Sequence, residues 1–202
     1  MKLLLCCIGG WVLSATAVAD TVQDVMDILG RHALVRASYE QHKRVAGRKR
    51  ELRSSGTLVF ARHQGVLLEM NLPVVSQLVM TESMIVQRSA GQTTRLKLQQ
   101  SPLGAAATVF GQLASGNLQQ LQQNFAVSAS STSTTQWELQ LTPRSEAVKK
   151  SLQEIRLGGD QFLQEITIID TRGGRVLLQL ADHQTQPDTL SADESELFQL
   201  AH

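Results

Sequence analysis

Three groups of side chains in this sequence could carry chemistry: five histidines, two adjacent cysteines, and arginines and lysines crowded between residues 43 and 62. A metal site built on a helix or hairpin needs a second ligand a few residues away. His32, His42, His63, His183 and His202 have none at three or four residues' spacing, so no metal is expected. No G-x-S-x-G elbow, H-E-x-x-H helix, phosphate-cradling glycine loop or dinucleotide fingerprint occurs, so the sequence reads as a non-enzyme without cofactor. Spacing does not speak to a Ser-His-Asp site assembled from distant positions, and that alternative stays open. Cys6 and Cys7 lie in the first few residues, where their fate depends on export.

Lys2 supplies a positive start, Leu3 to Leu13 form an apolar run broken only by Gly9 and Gly10, and Ala17-Val18-Ala19 has the small-x-small pattern of a signal-peptidase site. The run is too short to span a bilayer, which takes roughly 20 apolar residues. Cys6 comes too early for a lipid-modified cysteine, which follows a full apolar region. Residues 1–19 are therefore expected to be a cleaved signal and 20–202 a single cysteine-free domain in the periplasm, large enough to be held by a hydrophobic core. Lysines and arginines number 19 against 18 acidic residues, and losing Lys2 balances them. No overall field steers the domain to nucleic acid, and none is expected as a partner.

Periodicity places the elements around these residues. Val22, Val25, Met26, Ile28, Leu29 and Ala33 recur at helical spacing, predicting an amphipathic helix from Thr21 to about Leu34. From Arg53 the period is two, with Leu58, Phe60 and Arg62 on one face. After His63-Gln64-Gly65 a second strand runs Val66 to Met70. Ser76 to Met80, Met84 to Arg88 and Thr93 to Leu98 read as further strands. Pro102 opens an apolar helix through Leu103, Val109, Phe110 and Leu113 to Gly116, and Asn117 to Gln123 is a second short one. Strands resume near Phe125, with Trp137, Leu139 and Leu141 alternating before Pro143. Glu146 to Gln153 reads as a helical turn, and Ile155 to Leu157, Phe162 to Asp170 and Arg175 to Leu180 complete the set. The fold class is α+β: one strongly curved antiparallel sheet with helices on its concave side.

The run Ser55-Gly56-Thr57-Leu58-Val59-Phe60-Ala61-Arg62, then Val66 to Met70 and Pro73, preceded by Tyr39-Glu40-Gln41, resembles the opening of the outer-membrane lipoprotein carrier (LolA-like) family. Trp137-Glu138-Leu139-Gln140-Leu141-Thr142-Pro143 is similar to its W-x-L-x-L-x-P strand, and Ile166 to Leu180 to its late hairpin. Leu68 stands where the family commonly carries Trp, which marks a divergent member. The resemblance implies an unclosed antiparallel β-barrel under a helical lid, enclosing an apolar cavity for acyl chains.

It also implies roles. Leu58, Phe60, Val66, Leu68, Met70, Trp137, Leu139 and Leu141 would line the cavity, although alternation alone is equally that of a filled core. Leu103, Val109, Phe110 and Leu113 would form the lid. Arg62 would be the latch whose hydrogen bonds to lid backbone break when cargo enters; the plain alternative is an arginine leaving the strand end for solvent. The resemblance implies a periplasmic carrier, acting as a monomer on a lipidated protein or lipid between an inner-membrane transporter and an outer-membrane acceptor. A sensor or interaction module that binds lipid or protein without moving it is the alternative. Lys43, Arg44, Arg48, Lys49, Arg50 and Arg53, opposed only by Glu51, read as a solvated loop or as a contact for an anionic membrane or acidic partner. Recovered from outside the cytoplasm, the chain is expected to begin at Asp20; an intact mass that retains residues 1–19 would overturn the cleavage site.

Overall fold

The computed structural model describes residues 18–81, 83–97, 104–115, 117–131 and 136–201. The expected signal through Ala17, both cysteines, Leu98, Pro102 and Leu103 lie outside the described residues.

Helix α1 (Val18–Leu29) opens the described chain. It ends five residues before the sequence-based expectation, because Gly30 closes its last turn by donating from its amide to Met26 O at 2.8 Å. Leu34, expected to end the helix, instead begins a strand that the periodicity did not reveal, β1 (Leu34–Arg44). Five strands follow as a meander: β2 (Leu52–Ala61), β3 (Gly65–Leu72), β4 (Ser76–Met80), β5 (Met84–Ser89) and β6 (Gln92–Lys97). Two helices intervene, α2 (Gly104–Ser115) and α3 (Leu118–Asn124), the latter capped by Asn117, whose side chain accepts from Gln120 N at 2.9 Å. Then come β7 (Phe125–Ser131), β8 (Trp137–Pro143), a single helical turn α4 (Glu146–Lys149), β9 (Leu152–Gly159), β10 (Leu163–Asp170) and β11 (Arg175–Gln184). A last helix, α5 (Ala192–Gln199), was not expected.

All eleven strands form one antiparallel sheet in the order β6-β5-β4-β3-β2-β1-β11-β10-β9-β8-β7. β6 and β7 are its edges, so the barrel is unclosed. Gly56 belongs to a register shift between β2 and β3; a Cβ there would collide with the Glu69 carbonyl, which gives the Ser-Gly pair of the opening motif a steric reason.

Both faces of the sheet carry apolar rows. Val22, Val25 and Met26 of α1, Val109, Phe110 and Leu113 of α2, and Leu121 of α3 share one buried cluster with Leu58, Val66, Leu139, Leu141, Ile155 and Ile166 of the sheet. α2 leans on β3 and β4, while α1 and α3 pack against β7. The inner cover thus reaches from one half of the open barrel to the other. On the outer face, Leu34, Val59, Leu67, Val79 and Val86 pack against Leu197, Phe198 and Ala201. The helices expected on the concave side are there, and α5 is an additional cover outside, needed because the β1–β5 half is apolar on its outer face as well. The β8–β11 half needs none: its outer face is polar, with Glu154 accepting from Gln140 Nε2 at 2.7 Å and paired with Arg156 at 2.6 Å.

α5 is fastened by one side chain of β1. Arg36 donates from Nε and Nη2 to the Glu194 carboxylate at 2.7 Å each, from Nη1 to Pro187 O at 2.7 Å and from Nη2 to Thr189 O at 2.9 Å. Glu194 also closes a capping box with Ser191. This charged residue on a covered face is what hid β1 from a reading by apolar alternation. The hydrogen bonds from Arg36 hold the Glu194 carboxyl below its ordinary range. A carboxyl so depressed contributes stability that is complete above its unfolded value and is lost as pH falls through the folded one. Arg36→Leu should cost about 2 kcal/mol at neutral pH, and Glu194→Gln should flatten the loss of stability on acidification. Urea midpoints falling in parallel for Glu194→Gln and the unaltered chain would refute this account.

Candidate functional site

An apolar pocket lies between the inner face of the sheet and the helices. Its floor is Val35 and Ala37 of β1, Leu58 and Phe60 of β2, and Val66 of β3. Strand pairing sets these side by side, Val35 opposite Phe60, Ala37 opposite Leu58 and Phe60 opposite Val66. Leu163, Ile166 and Leu180 form the wall on the far strands, while Ile28 and Leu29 of α1 and Phe110 and Leu113 of α2 close it from above. Its free volume is about 50 Å³, space for about three or four waters. Tyr39, deeper on the same face, is buried, and burial pushes its phenol above the ordinary range.

The rim is polar and stacked. Phe162, in the turn before β10, is sandwiched between His32 and His183, with ring centroids 5.7 Å and 4.8 Å away. His183 Nε2 lies 2.8 Å from Leu163 O, which fixes the imidazole against the turn. Gln161 completes the rim. None of these residues was singled out from the sequence as part of a site. His32 and His183 are far apart along the chain, and only strand pairing brings them to one opening.

The residues expected to line the cavity divide into two groups. Leu58, Phe60 and Val66 face the pocket. Leu139 and Leu141 are fully buried within the inner cluster, and Trp137 is buried there with its indole Nε1 donating to Asp160 O at 2.6 Å. Leu68 packs half-buried against that cluster, and Met70 is half-buried near the end of β3. Of the lid set, Phe110 and Leu113 face the pocket and Val109 is fully buried.

Arg62 is the first residue after β2, and its amide donates to Ala33 O at 2.8 Å. Its guanidinium reaches the carboxyl-terminal end of α1, where a Cβ on Gly30 would stand 3.9 Å from Nη2. Nη2 is buried without a hydrogen-bond partner among the described residues. The negative end of the α1 dipole favours a cation there, yet the buried donor is unsatisfied in this state.

Among the described residues no cluster of three or more His, Cys, Asp or Glu could hold a metal ion, and no helix is long and apolar enough to cross a membrane. Fold and site together define an open-barrel protein with an apolar pocket under bridging helices. Residues 14–187 match the family described as outer membrane lipoprotein carrier protein LolA-like, and the chain belongs to that family. A LolA superfamily protein from Nitrosomonas europaea is similar in fold, with a TM-score of 0.53 at 14% identity over 91% of this chain and 98% of that one. A domain named for outer membrane lipoprotein sorting, from Vibrio parahaemolyticus, aligns with a TM-score of 0.50 at 8% identity over 90% of this chain and 99% of that one. At such identities the chain is a divergent member. No curated protein matches it.

Rim and core should separate on mutation. Leu139→Ala, in the filled cluster, should cost about 2–5 kcal/mol of stability. Phe162→Ala, half-buried at the rim, should cost less and should increase uptake of an apolar fluorescent probe. Equal destabilisation without added probe binding would show Phe162 to be ordinary core.

Proposed function

We propose that this chain is an exported periplasmic carrier that shields the acyl chains of a lipoprotein or lipid-like cargo between the inner and outer membranes. The observation that carries the reading is the apolar pocket roofed by α1 and α2 at the centre of a sheet that does not close. Each methylene removed from water stabilises binding by about 0.8 kcal/mol, so an acyl chain is strongly held by such a lining once it is inside. The pocket at its present volume is far too small for one. Loading therefore requires the roof to move, and α2 is the part suited to it, with Gly104 and Gly111 weakening a helix that rests on β3 and β4.

Arg62 is the control point in this reading. Its unsatisfied Nη2 beside the end of α1 makes a closed state that is held without being fully relaxed, so small changes there shift the balance between closed and open. Cargo would come from an inner-membrane transporter and pass to an outer-membrane acceptor.

Native mass spectrometry of protein purified gently from periplasm should find a co-purifying lipid or lipopeptide. Arg62→Leu should change loading or release severalfold while the chain stays folded. Unchanged transfer would remove Arg62 from the mechanism, the absence of any bound lipid would count against carriage, and lipid retained without transfer would favour a sensing module.

A further inference from the structure

The chain is nearly neutral, with a formal net charge of +1, but the sheet gathers its charges unevenly. Lys43 pairs with Leu52 and Ser55 with Leu72, so the 45–51 and 73–75 turns project from the same end of the strands. Arg44 lies opposite Arg175 and Asp170 opposite Leu152, which brings the 171–174 turn and the 144–151 connection to that end as well. The six basic residues of the β1–β2 hairpin are there joined by Arg144, Lys149, Lys150 and Arg172, all exposed. Opposing them are Glu40, Glu51, Glu146 and Asp170, with Glu51 3.7 Å from Arg53. Glu146 is paired with Lys149 at 2.7 Å, and Asp170 is engaged by the amides of Arg172 and Gly174. Asp160, Asp182 and Asp188 lie towards the opposite end.

The same basic end carries the large apolar side chains left most exposed among the described residues: Leu52 at 53%, Leu72 at 63%, Val74 at 59% and Val75 at 70%. Three of the four sit at the tip of one turn around Pro73, and Leu52 stands beside them at the start of β2. A patch of this kind marks an interaction surface.

We propose that this end of the sheet docks on an anionic lipid bilayer, with Leu72, Val74 and Val75 entering the interface and the surrounding cations meeting the head groups. Charge complementarity and the apolar tip choose the occupant together. An acidic protein would satisfy the cations but leave the valines in water, whereas a bilayer surface offers anionic groups and an apolar layer within a few ångströms of each other. The pocket rim of His32, Phe162 and His183 lies at the other end of the strands, so docking leaves the mouth facing away from the membrane and open to a partner.

The test is co-sedimentation of the purified chain with vesicles of phosphatidylethanolamine and phosphatidylglycerol, against vesicles of phosphatidylcholine alone. Binding should require the anionic lipid and weaken as salt is raised. The triple variant Arg48→Glu, Lys49→Glu and Arg50→Glu should lose binding about tenfold or more, and Val74→Ser with Val75→Ser severalfold even where salt is low. Full binding by the triple variant, or equal binding to phosphatidylcholine, overturns the proposal. So does displacement by soluble polyglutamate with no effect of the valine changes, which would assign the surface to an acidic protein instead. Because the pocket lies at the opposite end, uptake of an apolar probe by the same variants reports on cargo binding separately, and either reading can fail while the other stands.

Discussion

The constraint from which the rest of the structure follows is that an eleven-stranded sheet with two free edges carries apolar rows on both faces. Each row must be taken out of water, and a curved open sheet cannot do this by closing on itself. The chain meets the demand with α1, α2 and α3 inside and α5 outside. Where the outer face is polar, as around Gln140, Glu154 and Arg156, none of the described helices covers it, because no cover is required. The pocket is a by-product of this arrangement: a curved surface and straight helices do not fit perfectly, and the mismatch falls between Phe60, Ile166 and Phe110.

Burial on the inner face is graded, and the gradation carries the functional meaning. Leu139, Leu141, Leu157 and Ile155 have no exposure and hold the β8–β9 region rigid. The β1–β3 region under α2 is less filled, and its roof is a helix of small residues. In the proposed carrier the filled β8–β9 region would stay fixed while α2, which carries Gly104 and Gly111, moves without loss of the sheet. Arg62 and the stacked His32, Phe162 and His183 stand at the boundary between the two.

The two ends of the strands differ in kind. One end has the rim of the pocket, with aromatic and imidazole rings in register. The other gathers hairpin tips bearing cations and apolar side chains. A neutral total charge conceals this polarity, because the sum over residues ignores which turns the antiparallel register brings together.

Strand alternation from Thr57 to Met80 and from Trp137 to Leu180 was readable from neighbouring residues alone, and so were α3, the turns and the apolar character of α2. The Ser-Gly-x-Leu opening and the Trp137 to Pro143 strand also disclosed the family. β1 was not readable, since Arg36 breaks its pattern and is explained only by Glu194, distant in sequence. α5 was not expected either: its capping box at Ser191 and Glu194 is local, but its burial depends on the outer face of distant strands. Leu58 and Leu139 are equivalent as alternating leucines; one faces a pocket and the other a filled core. The physical reason is the same throughout. Periodicity records which way a side chain points from its own strand or helix, whereas a pocket, a rim or a charged end depends on which distant segments the pairing brings against it.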